Sequence, residues 1–233
     1  SASAPGKIIL FGEHAVVYGH PAIAVPVTQV SARVTVTLAK GFGPGEVVIQ
    51  APDIGLQTSL ADLPARHPLK AAILRTARVL NIAQVPSCSL RIESTIPVAA
   101  GLGSGAAVSV AIARALSAAL GSPLDDAQVC AIAYEVEKIH HGTPSGIDNT
   151  VITYARPVYF IKGKPIQQLS VGRAFTIVIG DTGLASPTAK AVGDVRKAWQ
   201  ADKMHYEAVF ESIGALADSA RQAIQQGAVE LLG

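Results

Sequence analysis

The sequence predicts an α+β fold in two parts, a mixed α/β N-terminal domain followed by a mainly helical C-terminal domain. Three observations predict it. Strand-like and helix-like periodicities alternate through the first part of the chain. A glycine-rich turn opens a long apolar helix at Ser104. Beyond Ser186-Pro187 the apolar spacing is helical throughout. The boundary is expected near residue 172, dividing the chain into 1–172 and 173–233.

Taken in order, KIILF (Lys7 to Phe11) reads as a short buried strand ending at Gly12. VSARVTVTL (Val30 to Leu38) alternates apolar and polar residues like a half-exposed strand, and EVVIQ follows a Gly/Pro turn as another. Pro68 to Leu80 has helical spacing, and SCSLRIEST (Ser87 to Thr95) returns to a two-residue alternation. The helix from Ser104 runs to Leu120 and stops at Gly121. A second helix is expected with Ser122 as N-cap, Pro123 in the first helical position and Gly142 closing it. Strands are expected at Val151 to Ile161 and at Phe175 to Ile179.

Composition excludes several function classes. Of 233 residues, 49 % are hydrophobic and only 15 % charged, which suits a packed enzyme and not a disordered chain. No apolar run reaches membrane-spanning length, since Arg114 interrupts Ala106 to Leu120. The start, SASAPGKIILFG, lacks a basic leader with an apolar segment and cleavage site, so a cytoplasmic location is expected. Cys88 and Cys130 lie in apolar, periodic surroundings without metal-like spacing and are expected to be buried free thiols. A net charge of +2, dispersed lysines and arginines, and 5 % aromatics offer neither a basic stripe nor a stacking platform for nucleic acid.

Three segments carry chemistry. In PVAAGLGSGAA, from Pro97, the residues Gly101, Leu102, Gly103, Ser104, Gly105 and Ala106 lead into a helix. Glycines let a backbone approach a ligand closely, and the exposed N–H groups of a helix start attract anions, so a phosphate loop is one reading. A strand-to-helix turn that needs small residues for packing is the other. The string GxxxxGK[ST] occurs nowhere, and the GxGxxA match at Gly101, Gly103 and Ala106 follows Pro97 and leads to a second helix, against a dinucleotide fold. In KIILFGEHAVVYG, Lys7, Glu13 and His14 stand at the two ends of a strand, where side chains line sites. In EKIHHGTPSGIDN, a helix breaks between Glu137 and Asp148, with His140 and His141 suited to a helix C-terminus and not taken as ligands.

In this order and spacing, KIILFGEHAVVYG, PVAAGLGSGAA and HGTPSGIDN resemble the GHMP kinase superfamily of small-molecule kinases, and within it the mevalonate kinase branch. The resemblance covers about residues 4 to 190. It implies transfer of the γ-phosphoryl of ATP, with Mg2+, to a primary hydroxyl of mevalonate in isoprenoid synthesis. It implies Asp148 as the catalytic carboxylate with Lys7 paired to it, and the Gly101–Ser104 turn with its flanks Pro97, Gly105 and Ala106 as the phosphate cradle. It further implies Glu137 and Ser104 on the metal, and Glu13, His14, Asp148 and Thr182 at the substrate. Homodimers are common in the family, so a homodimer is the assembly to test for.

Two departures stand out. The family loop often reads GLGSSA, and its second serine is the one usually assigned to magnesium; here that position is Gly105, so either Ser104 serves or water fills the place. After Thr182 the glycines are scattered, without the third glycine-rich motif, and the chain ends in VELLG inside an amphipathic pattern; a C-terminally incomplete form is the expectation. Two alternatives are carried: a relative acting on phosphomevalonate or homoserine, and a non-catalytic ligand sensor. The sensor is expected to lack Asp148, Glu137 or Lys7, and all three are present.

Overall fold

The computed structural model describes residues 1–39, 45–141, 144–181 and 188–232, the side chains at 140, 141 and 188–190 excepted. Strands β1 (Ala2–Phe11) and β2 (Ala22–Leu38) form a long antiparallel hairpin. Around β2 the sheet is built from β3 (Val47–Ala51), β4 (Leu56–Ser59), β5 (Cys88–Ser94), β6 (Val158–Phe160) and β7 (Gln167–Gln168). Its order is β4-β3-β5-β2-β6-β7, with β1 paired to β2. Only β3 and β5 run parallel among these described pairs, so the sheet is mixed.

Helices α1 (Pro68–Val79), α2 (Ser104–Ala119), α3 (Asp126–His141) and α4 (Ile147–Tyr154) make a layer with the sheet. The middle of that layer is α2, whose Ala107, Val110, Ala111, Ile112, Ala113 and Leu116 are fully buried. A helix apolar all round belongs in a core, and α2 packs on α1, α3, α4, β1 and β2. Period-two alternation on β2 divides its side chains between two cores. Ala22 and Ala24 join the α2 core, while Ile23 between them joins Tyr159, Leu169, Ala220 and Ile224 on the other side. The last two belong to α6 (Lys203–Gln226), which follows α5 (Thr188–Ala201). Asp202 separates the pair and caps α6, its carboxylate accepting from the His205 N–H at 3.1 Å.

Several expectations need correction. The second long helix starts at Asp126 and not at Pro123 with Ser122 as its cap. Its entry is a reciprocal capping pair, the Gln128 N–H donating to Asp125 Oδ1 at 2.8 Å and the Asp125 N–H to Gln128 Oε1 at 3.1 Å. The stretch expected as a strand from Val151 is helix up to Tyr154, and only Val158–Phe160 is extended. Its β-branched run favours a strand, but Val151 and Ile152 are fully buried against α2 and β1, and tertiary packing overrides propensity. Phe175 to Ile179 forms no strand, and no described strand pairs with it; Val178 is 90 % exposed. Cys88 is buried, whereas Cys130 is only half-buried. The expected helix stop at Gly142 lies outside the described residues.

Candidate active site

Strand β1 carries Lys7 into the core and fixes it twice. Its N–H donates to the Leu102 carbonyl at 3.0 Å, tying the strand to the glycine-rich turn. Its side chain, only 6 % exposed, runs under that turn, and Nζ lies 3.0 Å from Asp148 Oδ1. A buried lysine is stable only with a charged or hydrogen-bonding partner, and Asp148 supplies it. Asp148 itself is 27 % exposed.

The turn above Lys7 has a definite shape. Ala99, Gly101 and Gly103 have φ of 60°, 75° and 73°, with Ala100 and Leu102 between them at negative φ. Alternation of this kind curls successive N–H groups toward one side and makes an anion-binding concavity. Gly103 is required for space as well as conformation. A Cβ there would stand 2.8 Å from Ile152 Cδ1 and 2.9 Å from Lys7 Cγ. It is also the N-cap of α2 without any side-chain capping bond, so the first amides of a sixteen-residue helix face the turn uncapped. Of the residues expected to cradle phosphate, Pro97 and Gly101 are exposed, Leu102, Gly103, Ser104 and Gly105 half-buried, and Ala106 buried.

Asp148 is presented by a sharp break. Gly146, at φ 96°, is the N-cap of α4, and the Ile147 N–H donates to Ser145 Oγ at 3.3 Å. Asn149, 4 % exposed, then pins the helix to α3, its Nδ2 donating to the Cys130 carbonyl at 3.3 Å. Two turns further along α3, Glu137 is 3 % exposed. A carboxylate and a hydroxyl are hard-oxygen donors of the kind magnesium accepts, and the ion commonly keeps waters and phosphate oxygens for its other positions. Among the described residues no group of three or more His, Cys, Asp or Glu gathers as a metal cage.

Glu13 and His14 follow β1 in an unusual turn. His14 has φ 63° and ψ −51°, and the Ala15 N–H donates to the Glu13 carbonyl at 2.8 Å. That is the rare, strained γ-turn. Glu13 is exposed and His14 half-buried. Thr182 lies outside the described residues.

One feature was not expected from sequence. A cavity of about 470 Å³ opens beside the glycine-rich turn, lined by Ser104, Gly105 and Val108 of α2 and by Ile54, His67 and Val98. These residues come from separate segments, and no local pattern connects them. The Asp53 carboxylate braces the wall by accepting from the Ser94 N–H at 2.6 Å.

The model of the GHMP kinases N terminal domain matches residues 68–156, from the first residue of α1 to just past α4. The mevalonate kinase of Pyrococcus horikoshii is 36 % identical over 240 residues, which cover 96 % of this chain and 69 % of that protein. The mevalonate kinase of Aeropyrum pernix is 34 % identical over 242 residues, covering 100 % of this chain and 72 % of that one. Among solved structures, L. major mevalonate kinase in complex with R-mevalonate superposes with a TM-score of 0.75 at 27 % identity, covering 99 % of this chain and 71 % of that chain.

Proposed function

Because the chain belongs to the mevalonate kinase family of the GHMP kinases, we infer that it transfers the γ-phosphoryl of ATP to the primary hydroxyl of mevalonate, giving 5-phosphomevalonate. The observation that carries the assignment of roles is the Lys7–Asp148 pair beneath the glycine-rich turn. Phosphoryl transfer passes through a loose transition state, so the protein mainly positions groups and stabilises charge. Asp148 takes the proton of the attacking hydroxyl. Lys7 keeps that carboxylate ionised and stabilises the alkoxide as it forms. The turn from Gly101 and the uncapped start of α2 hold the phosphates, and the cavity bounded by Ile54, Val98 and Val108 takes the adenine.

Glu137 and Ser104 would hold Mg2+, which supplies charge neutralisation for the β- and γ-phosphates. Gly105 offers no hydroxyl, so Ser104 is the one side chain of the turn that can take this place. Glu13, His14 and Thr182 serve the mevalonate end. The same reading carries a cytoplasmic homodimer with it, which fractionation and sedimentation velocity test.

A coupled ADP-release assay on mevalonate, phosphomevalonate and homoserine tests the substrate. Turnover confined to mevalonate is expected. Preference for either rival would move the chain to another branch of the superfamily, and nucleotide binding without turnover on any alcohol would make it a sensor.

A further inference from the structure

The strained turn at His14 is held from outside. Immediately after it, Ala15–Tyr18 forms a short 3-10 turn, and the Tyr18 ring lies stacked on Phe210 of α6, centroids 4.3 Å apart and planes at 15°. Trp199 of α5 covers Tyr18 from another direction at 5.1 Å. Phe210 is 2 % exposed, whereas the buried Tyr18 hydroxyl has no hydrogen-bond partner, so the ring and not the hydroxyl makes this contact. One helical turn beyond Phe210, Gly214 lets α6 close on the same loop. A Cβ at Gly214 would stand 3.1 Å from Pro21 Cδ and 3.2 Å from His20 Nδ1. The His20 N–H in turn donates to the Ala15 carbonyl at 3.3 Å.

A non-glycine residue keeps a γ-turn of this kind only when its surroundings over-determine it, and such residues collect at ligand clamps. Here α6 supplies part of those surroundings, beside the backbone bonds from the Val16 N–H to the Gly12 carbonyl and from the Val17 N–H to the His14 carbonyl, both 3.1 Å. We propose that Phe210 is a positioning residue for the alcohol substrate: by stacking on Tyr18 it helps hold the Glu13–His14–Ala15 turn in its strained form, so that α6 sets the geometry of the substrate end. The inference rests on the reading of Glu13 and His14 as substrate-binding residues. It goes beyond that reading, since Phe210 lies on another element and acts only through Tyr18. Loss of the stack lets the turn relax, which weakens alcohol binding and leaves the nucleotide cradle, built on α2, as it was.

The test compares Phe210→Leu, which keeps an apolar side chain but loses the ring, with Tyr18→Phe, which keeps the stack. Ile224→Ala serves as a matched loss of packing on α6, because Ile224 is 1 % exposed and belongs to the core around Ile23 and Tyr159. Amide exchange at Ala15 and His20 is measured on each, with KM for mevalonate and for ATP. In Phe210→Leu, exchange at both amides and KM for mevalonate are expected to rise about tenfold, with KM for ATP changed less than about twofold. Tyr18→Phe is expected to follow the parent. Ile224→Ala is expected to lose thermal stability without either change. Unaltered exchange in Phe210→Leu overturns the proposal, as does an unaltered KM for mevalonate or an equal rise of KM in Ile224→Ala. If the parent protein phosphorylates no mevalonate, the functional reading falls on its own, and the exchange rates, which need no turnover, still decide whether Phe210 holds the turn.

Discussion

Lys7 Nζ and Asp148 Oδ1 lie 3.0 Å apart, the lysine 6 % exposed and the aspartate 27 %. The asymmetry suits a cation that works from below on a carboxylate reached from above. Lys7→Met keeps the length of the stem and removes the charge. Turnover should fall by about 10²- to 10⁴-fold, the range for losing a positioned proton-transfer partner. Nucleotide affinity should stay near that of the parent, as read by fluorescent ATP-analogue titration.

Gly103 is sensitive for two reasons acting together. Its φ of 73° disfavours any L side chain, and a Cβ would overlap the Lys7 stem at 2.9 Å. Gly103→Ala should cost about 1–3 kcal/mol in stability from the backbone alone. The displaced Lys7 should lower turnover as well, so denaturant midpoint and kcat should drop together.

Glu137→Gln tests the metal assignment. The amide is nearly isosteric with the buried carboxylate but a poorer ligand for a hard cation. The magnesium concentration for half-maximal rate should rise severalfold, while the rate at saturating magnesium recovers in part.

The two thiols should differ. Cys88 is fully buried, and burial pushes its thiol pKa up, which lowers the thiolate fraction. Cys130 is half-buried, with Asn149 Nδ2 at 3.1 Å from its sulfur. Iodoacetamide should label Cys130 first in the folded protein and reach Cys88 only on unfolding, which peptide mass mapping reads directly.

Much of this was legible in the sequence because it is local. The alternation in VSARVTVTL and the glycines of GLGSG specify their own backbone, and both stand where they were expected. The motif residues Lys7, Gly103 and Asp148 could be named, but their meeting depends on β1, α2 and α4 packing together. The segment Val151–Tyr154 reads as the start of a strand by its β-branched residues, whereas burial makes it the second half of α4. The positive φ of His14 leaves no mark in composition, since nothing in GEHAV distinguishes it from an ordinary loop. The apolar cavity and the Tyr18–Phe210 stack join residues far apart in the chain, and no periodicity reports on such contacts.

The assignment of Asp148 as the residue that takes the substrate proton is the centre of the account. Single-turnover transfer of the γ-phosphoryl of ATP to mevalonate by Asp148→Asn measures it most directly, with nucleotide binding followed in parallel. A fall of at least about 10²-fold in the transfer rate is expected with nucleotide affinity little changed. Transfer at a near-parental rate would contradict the assignment and with it the role given to Lys7.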